Sequence, residues 1–237
     1  MIARLTQAIA DLYEAGHRPI VVSSGAVGAG LMAFGLDERP TDTGMLQACA
    51  SVGQARLMHI YENHFSHFGL KVAQLLLTHD DLRDEKRRAN VRNTLDHLLG
   101  FPNIVPIVNE NDSVAVYELK VGDNDVLSAE VAELAAADLL ILLTSVPGLR
   151  RPCDSDPNAI VARVEDIESV MSFASEEKGR LSVGGMRSKL EAVRTAVSAG
   201  IETIIAGGAN PEQLIDLAGG GGIGTRFAPA RRETAAG

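Results

Sequence analysis

Only two of the 237 residues are cysteine, Cys49 and Cys153, and they stand in no C-x-x-C spacing. A disulfide framework and a structural zinc site both lack their raw material, which leads us to expect a reducing, cytoplasmic setting. Long apolar runs are also missing. The longest, 139–143, stops after five residues between Asp138 and Thr144, far short of a membrane span, so no membrane partner is expected. Arg4 and Asp11 interrupt any signal-peptide core at the amino terminus. Basic charge is in deficit: 22 Lys and Arg against 31 Asp and Glu give a net charge of -9, which argues against nucleic acid as the partner. Finally, G-x-x-x-x-G-K-[ST], G-x-G-x-x-G after a strand, G-x-S-x-G and H-E-x-x-H are all absent, which disfavours a P-loop enzyme, a Rossmann dehydrogenase, a serine hydrolase and a zinc protease.

What is present is a chain 46% hydrophobic, with apolar strands alternating with helical stretches. Ile2, Leu5, Ile9 and Leu12 fall at helical spacing, with Gly16 as the stop and no capping residue ahead of the helix. Strands are expected over 18–23, 72–77, 103–108, 139–144, 202–206 and 225–227, and helices over 80–99, 126–136 and 186–199. Continuous apolar strands between helices predict an α/β fold, a three-layer α/β/α sandwich with a mainly parallel central sheet buried on both faces. One domain over 1–227 is expected, with a loop over 150–158, a mobile flap over 165–182 and a disordered tail over 228–237. A doubly wound fold normally opens with a strand, so a chain opening with a helix is expected to be incomplete at its amino end.

Small and polar residues crowd the carboxyl ends of the predicted strands, where open α/β sheets bind ligands. Ser23-Ser24-Gly25-Ala26-Val27-Gly28-Ala29-Gly30 suits either an anion cradle at a helix N-terminus or a crossing that needs small residues. Asn109-Glu110-Asn111-Asp112 could orient an amino acid through its ammonium and carboxylate, or form a solvated turn. Gly122-Asp123-Asn124-Asp125 offers three polar residues where a helix cap needs one, which favours a functional reading. Ser182-Val183-Gly184-Gly185-Met186-Arg187-Ser188-Lys189 could open a phosphate cradle with Lys189 one turn inside the helix, or be a helix start with a solvated lysine. His59, His64 and His67 lack a carboxylate partner and read as exposed, so no metal ligands are assigned. Cys49 reads as inert core, and the charges of 80–92 read as a solvated face.

Together with Ser51-Val-Gly-Gln54 and Gln74-Leu-Leu-Leu-Thr78, these segments resemble the amino acid kinase family, and within it the branch that phosphorylates glutamate. The likeness runs to about Phe227. It implies transfer of the γ-phosphoryl group of ATP, with Mg2+ bridging its oxygens, to the glutamate side-chain carboxylate, the first step of proline biosynthesis. By resemblance, Ser24, Asp112 and Asn124 would hold glutamate, with Asn109 lining the same pocket. Asp125 and Lys189 would be catalytic, the first organising the lysines and the second neutralising charge on the phosphates. Thr144, Ser145, Val183, Gly184, Gly185, Met186, Arg187, Ser188 and Lys189 would meet the nucleotide. A homo-oligomer with proline as an inhibitor is also implied.

The family's opening strand with a Lys-x-Gly-Ser or Lys-x-Gly-Thr motif has no counterpart here, nor has the C-terminal PUA domain of many members. Ser145 stands where an Asp is usual, Ser182-Val183 where Gly-Thr is usual, and Arg150-Arg151 where an aromatic residue is common. These departures leave two alternatives: an impaired regulatory module that binds glutamate or proline, and a sibling kinase with another acidic substrate.

Overall fold

Apolar residues one turn apart and a closing glycine make the first helix, α1 (Ile2–Glu14), which buries Ile9 and Leu12. No side chain caps its start, and Gly16, at φ 93°, turns the chain out of it. The computed structural model describes residues 1–114, 123–152, 156, 159–175 and 185–230. Val183, Gly184, Cys153, most of the 150–158 loop and the tail beyond Ala230 lie outside these residues. The chain divides into two compact units, Met1–Lys120 and Val121–Gly237.

The first unit continues through β1 (Val21–Val22), α2 (Ala26–Phe34), α3 (Thr43–Ser66), β2 (Lys71–Leu77), α4 (His79–Arg83), α5 (Glu85–Gly100) and β3 (Ile104–Glu110). Its sheet is parallel throughout, in the order β1-β3-β2. Central β3 is buried from Val105 to Glu110, as its continuous apolar run predicts. Pro106 is tolerated in this central strand for a reason of parity. The Val108 carbonyl faces β1 and accepts from the Ser23 amide at 2.8 Å. Two residues back, the missing Pro106 N–H faces the same side, below the two-residue β1.

Helices α2 and α3 approach so closely that only glycine fits at the crossing. A Cβ on Gly30 would lie 1.9 Å from the Cys49 carbonyl oxygen, and one on Gly53 would lie 1.7 Å from the Ala26 carbonyl oxygen. Cys49 is fully buried, as expected.

The second unit contains α6 (Asp123–Leu134), β4 (Leu139–Thr144), β5 (Arg163–Val164), a 3-10 helix (Ile167–Ser175), α7 (Met186–Ser198), β6 (Glu202–Gly207), α8 (Leu214–Ala218) and β7 (Gly224–Phe227). Its strand order is β4-β6-β7-β5, with β6 and β7 antiparallel and the other pairs parallel. Leu190, Val193 and Val197 of α7 pack with Ala129, Leu142 and Ile205 in one buried core. Arg226 fastens the glycine-rich turn: its guanidinium donates to the Glu202 carboxylate at 3.1 Å and to the carbonyls of Leu217 and Gly221 at 2.7 and 2.9 Å.

Five sequence expectations are corrected. The strand expected over 18–23 is only Val21–Val22. The helix expected over 80–99 is broken at Asp84, whose extended backbone closes α4 while its side chain caps α5 through the Arg87 amide. The strand expected to stop at Val108 runs on through Asn109 and Glu110. The first part of the expected flap is a 3-10 helix that buries Val170, so 167–175 is a packed element. Residues 228–230, the start of the expected tail, are held: the amides of Ala228 and Ala230 donate to the carbonyls of Val164 and Val197 at 3.0 and 2.8 Å.

Two predictions follow from this packing. Gly30→Ala and Gly53→Ala meet backbone that cannot yield, and each is expected to cost about 1–3 kcal/mol in denaturant unfolding. Gly28→Ala, with open space around it, should be neutral or add about 0.5–1 kcal/mol. The second concerns Asp81 in its capping box with Thr78. Burial pushes its carboxyl up, but hydrogen bonds from the Thr78 hydroxyl and amide, and the Arg87 guanidinium, outweigh burial and hold it below the ordinary range. Its stabilising contribution is complete above the unfolded value of about 4 and is lost as pH falls through the lower folded value. In acid unfolding, Asp81→Asn should therefore flatten the limb below about pH 4 relative to the parent.

Candidate active site

In the first unit, polar residues gather at the carboxyl ends of the parallel strands. Ser23 and Ser24 follow β1, and Gly25, at φ 102°, starts α2 in the left-handed region that favours glycine. Ser24 is exposed at this turn, whereas Ser23 is buried and shares a 3.0 Å hydrogen bond with the Tyr61 hydroxyl of α3. Burial pushes the Tyr61 phenol above its usual pKa, against the opposing hydrogen bond from Ser23, so it stays protonated. Asn111 and Asp112 follow β3, where the Asn111 amide donates to the Leu77 carbonyl at 2.8 Å. Ser113 meets the Ser51 hydroxyl of α3 at 2.9 Å.

Asn109 is buried and engaged within the protein. Its Nδ2 donates to Gln54 Oε1 at 2.8 Å, and its Oδ1 accepts from the Glu110 amide at 2.9 Å. Gln54 in turn donates to Gln74 Oε1 at 3.0 Å. A chain of three amide side chains thus ties α3, β2 and the end of β3 together beneath the Asn111–Asp112 turn. The expectation that all four polar residues of 109–112 lie outside the core is corrected: Asn109 is 1% exposed and Glu110 8%. Gly30 answers the question left open for the glycine-rich segment on the packing side, while Gly28 remains in open space on the first turn of α2.

In the second unit, Asp125 from the first turn of α6 meets two consecutive residues of α7. Lys189 Nζ donates to Oδ1 and Oδ2 of Asp125 at 3.0 and 2.8 Å, and the Ser188 hydroxyl donates to Oδ2 at 2.7 Å. The Ser128 hydroxyl donates to the Asp125 main-chain carbonyl at 2.6 Å. The Lys189 and Asp125 side chains are only 11% and 18% exposed, so water screens their attraction less than it does in a surface pair. Asn124, one residue before, has a buried Oδ1 with no hydrogen-bond partner, an acceptor suited to a ligand N–H.

Thr144 ends β4 and Ser145 follows it, exposed. The Thr144 carbonyl accepts from the Gly208 amide at 2.7 Å, which joins the carboxyl ends of β4 and β6. Gly185 caps α7 without a side-chain hydrogen bond, leaving first-turn amides of the kind that bind anions. Met186 is buried, and Arg187 turns along the helix to Glu191 at 3.1 Å. Tyr61, Ser113 and Ser128 are the residues that local sequence patterns miss, since their partners are recognised only in the fold.

Breaking the ion pair should expose its energetic weight. Asp125→Ala strands a mostly buried ammonium and is expected to cost about 3 kcal/mol in urea unfolding. Adding Lys189→Met should recover more than half of that loss, because the uncompensated charge goes with it. A double variant no more stable than the single would contradict this reading of the pair.

The amino acid kinase family model matches residues 1–207. Glutamate 5-kinase of Moorella thermoacetica is 46% identical over 229 residues, covering 95% of this chain and 60% of that protein. Glutamate 5-kinase of Geobacter metallireducens is 44% identical, covering 97% of this chain and 62% of the relative. Glutamate 5-kinase of Clostridium tetani is 44% identical, covering 95% of this chain and 85% of the relative. The chain thus spans less than two thirds of the first two relatives. Among solved structures, carbamate kinase from Giardia lamblia bound to AMP-PNP aligns with a TM-score of 0.62 at 16% identity, over 96% of this chain and 88% of that one. Uridylate kinase from Archaeoglobus fulgidus also aligns with a TM-score of 0.62 at 16% identity, over 96% and 92%. These two likenesses concern the fold. By its family match and its identity to these relatives over nearly its whole length, the chain belongs to the amino acid kinase family.

Proposed function

We propose that this chain transfers the γ-phosphoryl group of ATP to the side-chain carboxylate of glutamate, giving glutamyl 5-phosphate for proline biosynthesis. The observation that carries the proposal is the buried Asp125–Lys189 pair with Ser188 bound to the same carboxylate. The identity of 44–46% to three glutamate 5-kinases supports the choice of substrate.

A carboxylate is already ionised at neutral pH, so it attacks phosphorus without a general base. The obstacle is bringing two anions into line, and cations and aligned amides at fixed positions lower it. We assign Lys189 to the charge on the transferring phosphoryl group, with Asp125 holding its ammonium. The first-turn amides of α7 and the residues Thr144 and Ser145 are assigned to the nucleotide. Ser24 and Asp112 are assigned to glutamate, together with the buried Asn124 acceptor, which suits an ammonium N–H. Asn109 is assigned to positioning the Asn111–Asp112 turn, since both ends of its amide are engaged internally.

Among the described residues no cluster of three His, Cys, Asp or Glu side chains is arranged to hold a metal ion. Magnesium is proposed to enter on the phosphate oxygens, as part of the MgATP substrate. No helix among the described residues is long and apolar enough to cross a membrane, and we propose a cytoplasmic enzyme. Family resemblance extends the proposal to a homo-oligomer whose glutamate site also admits proline.

The test is hydroxamate formation from MgATP, hydroxylamine and an acidic amino acid. Glutamate should outrun aspartate and N-acetylglutamate, and proline should raise the KM for glutamate. Lys189→Met should lower kcat by about 10²–10³ with little change in the glutamate KM. A preference for aspartate or N-acetylglutamate would overturn the substrate assignment, and unchanged kcat in the Lys189 variant would overturn the mechanism.

A further inference from the structure

We propose that Ser188 is a positioning residue for phosphoryl transfer, its hydroxyl fixing the Asp125 carboxylate so that Lys189 presents its ammonium at one point. The inference rests on the kinase reading above. The hydroxyl donates to Asp125 Oδ2 at 2.7 Å, across 63 residues of sequence, a contact that the expected nucleotide role of Ser188 does not include.

Consecutive residues on a helix point about 100° apart, so two neighbours reach one carboxylate only if it lies on the helix flank between them. Ser188 and Lys189 do this, and the contact therefore sets both the place of Asp125 beside α7 and the rotation of its carboxylate. A serine inside a helix often donates back to the carbonyl three or four residues earlier. The hydroxyl is committed to the carboxylate instead. Ser128 secures the same residue from the other end, through the Asp125 main-chain carbonyl at 2.6 Å.

A lysine ammonium is a point charge on a flexible stem and takes its position from its acceptor. The carboxylate torsion of aspartate is broad and has no steep well of its own. Among the described residues, Oδ2 without the Ser188 hydroxyl keeps only the Lys189 donor, and the carboxylate and ammonium can turn together. Such a shift leaves binding intact and moves the charge away from where it develops in the transition state.

The experiment pairs kinetics with amine labelling. Ser188→Ala is expected to lower kcat by about 10–100-fold, while the KM values for ATP and glutamate stay within about threefold. Ser188→Thr keeps the hydroxyl and should restore kcat, and Ser188→Cys supplies a second variant of near-identical shape with a weaker donor. Acetic anhydride labelling read by mass spectrometry should show Lys189 several-fold more reactive in Ser188→Ala, against the exposed Lys71 and Lys86 as internal references. A raised KM for ATP with kcat retained would overturn the proposal in favour of a nucleotide contact. Failure of threonine to rescue, or unchanged Lys189 labelling, would overturn it in favour of simple packing. If the parent protein turns over no acidic amino acid, the kinase reading fails by itself, and the labelling still decides whether Ser188 holds the pair.

Discussion

An ammonium with 11% of its side chain exposed needs a fixed anion beside it, and in this protein the anion is Asp125. Meeting that need determines much of the second unit. Asp125 must lie in the first turn of α6 and face the first turn of α7, so the two helices start side by side. Ser188 and Ser128 hold the acid at its carboxylate and at its main chain. Behind this polar contact, Leu190, Val193 and Val197 bury the rest of α7 against the sheet, fixing the helix that carries Lys189. The ion pair alone contributes little net stability against a well-packed apolar alternative. In the proposed phosphoryl transfer, the pair supplies a cation that is already desolvated and oriented toward the charge that develops.

The first unit solves a parallel problem with neutral groups. The Asn111–Asp112 turn follows a strand that is buried to its last residue, so the polar side chains at that end need internal partners. Gln54, Gln74 and Asn109 supply them in a chain of amide hydrogen bonds, and the glycine contacts at Gly30 and Gly53 bring α2 and α3 close enough to support it. Residues that resemble ligand contacts in sequence therefore divide in the structure. Ser24 is exposed at its turn, while Ser23, Asn109 and Gly30 are buried against internal partners.

The sequence made the strands legible because continuous runs such as 139–143 and 202–206 are buried on both faces, and helix starts and stops were legible at Gly16 and Met186. Less legible were features decided by one residue acting twice. Asp84 ends α4 by its backbone and starts α5 by its side chain, and a hydrophobic pattern spanning 80–99 conceals that break. Asn109 and Glu110 look like loop residues because their polarity is visible in sequence and their partners are not. For the same reason the Ser188–Asp125 contact escapes a reading of the sequence, since a hydrogen bond across 63 residues leaves no local pattern. Residues 228–230 misled in the opposite direction: the main-chain amides of Ala228 and Ala230 are bonded, and main-chain contacts carry no sequence signature.

In the proposed reaction a side-chain carboxylate, already ionised, attacks the γ-phosphorus while Lys189 stabilises the developing charge. Its most direct measurement follows oxygen. Glutamate labelled with heavy oxygen in its side-chain carboxylate is incubated with MgATP and the protein, and the phosphate released as the acyl phosphate cyclises to 5-oxoproline is analysed by mass spectrometry. Phosphate carrying one labelled oxygen from glutamate is expected, because the new bridging P–O bond survives when the acyl carbon is attacked. Phosphate carrying oxygen only from ATP and water would contradict it.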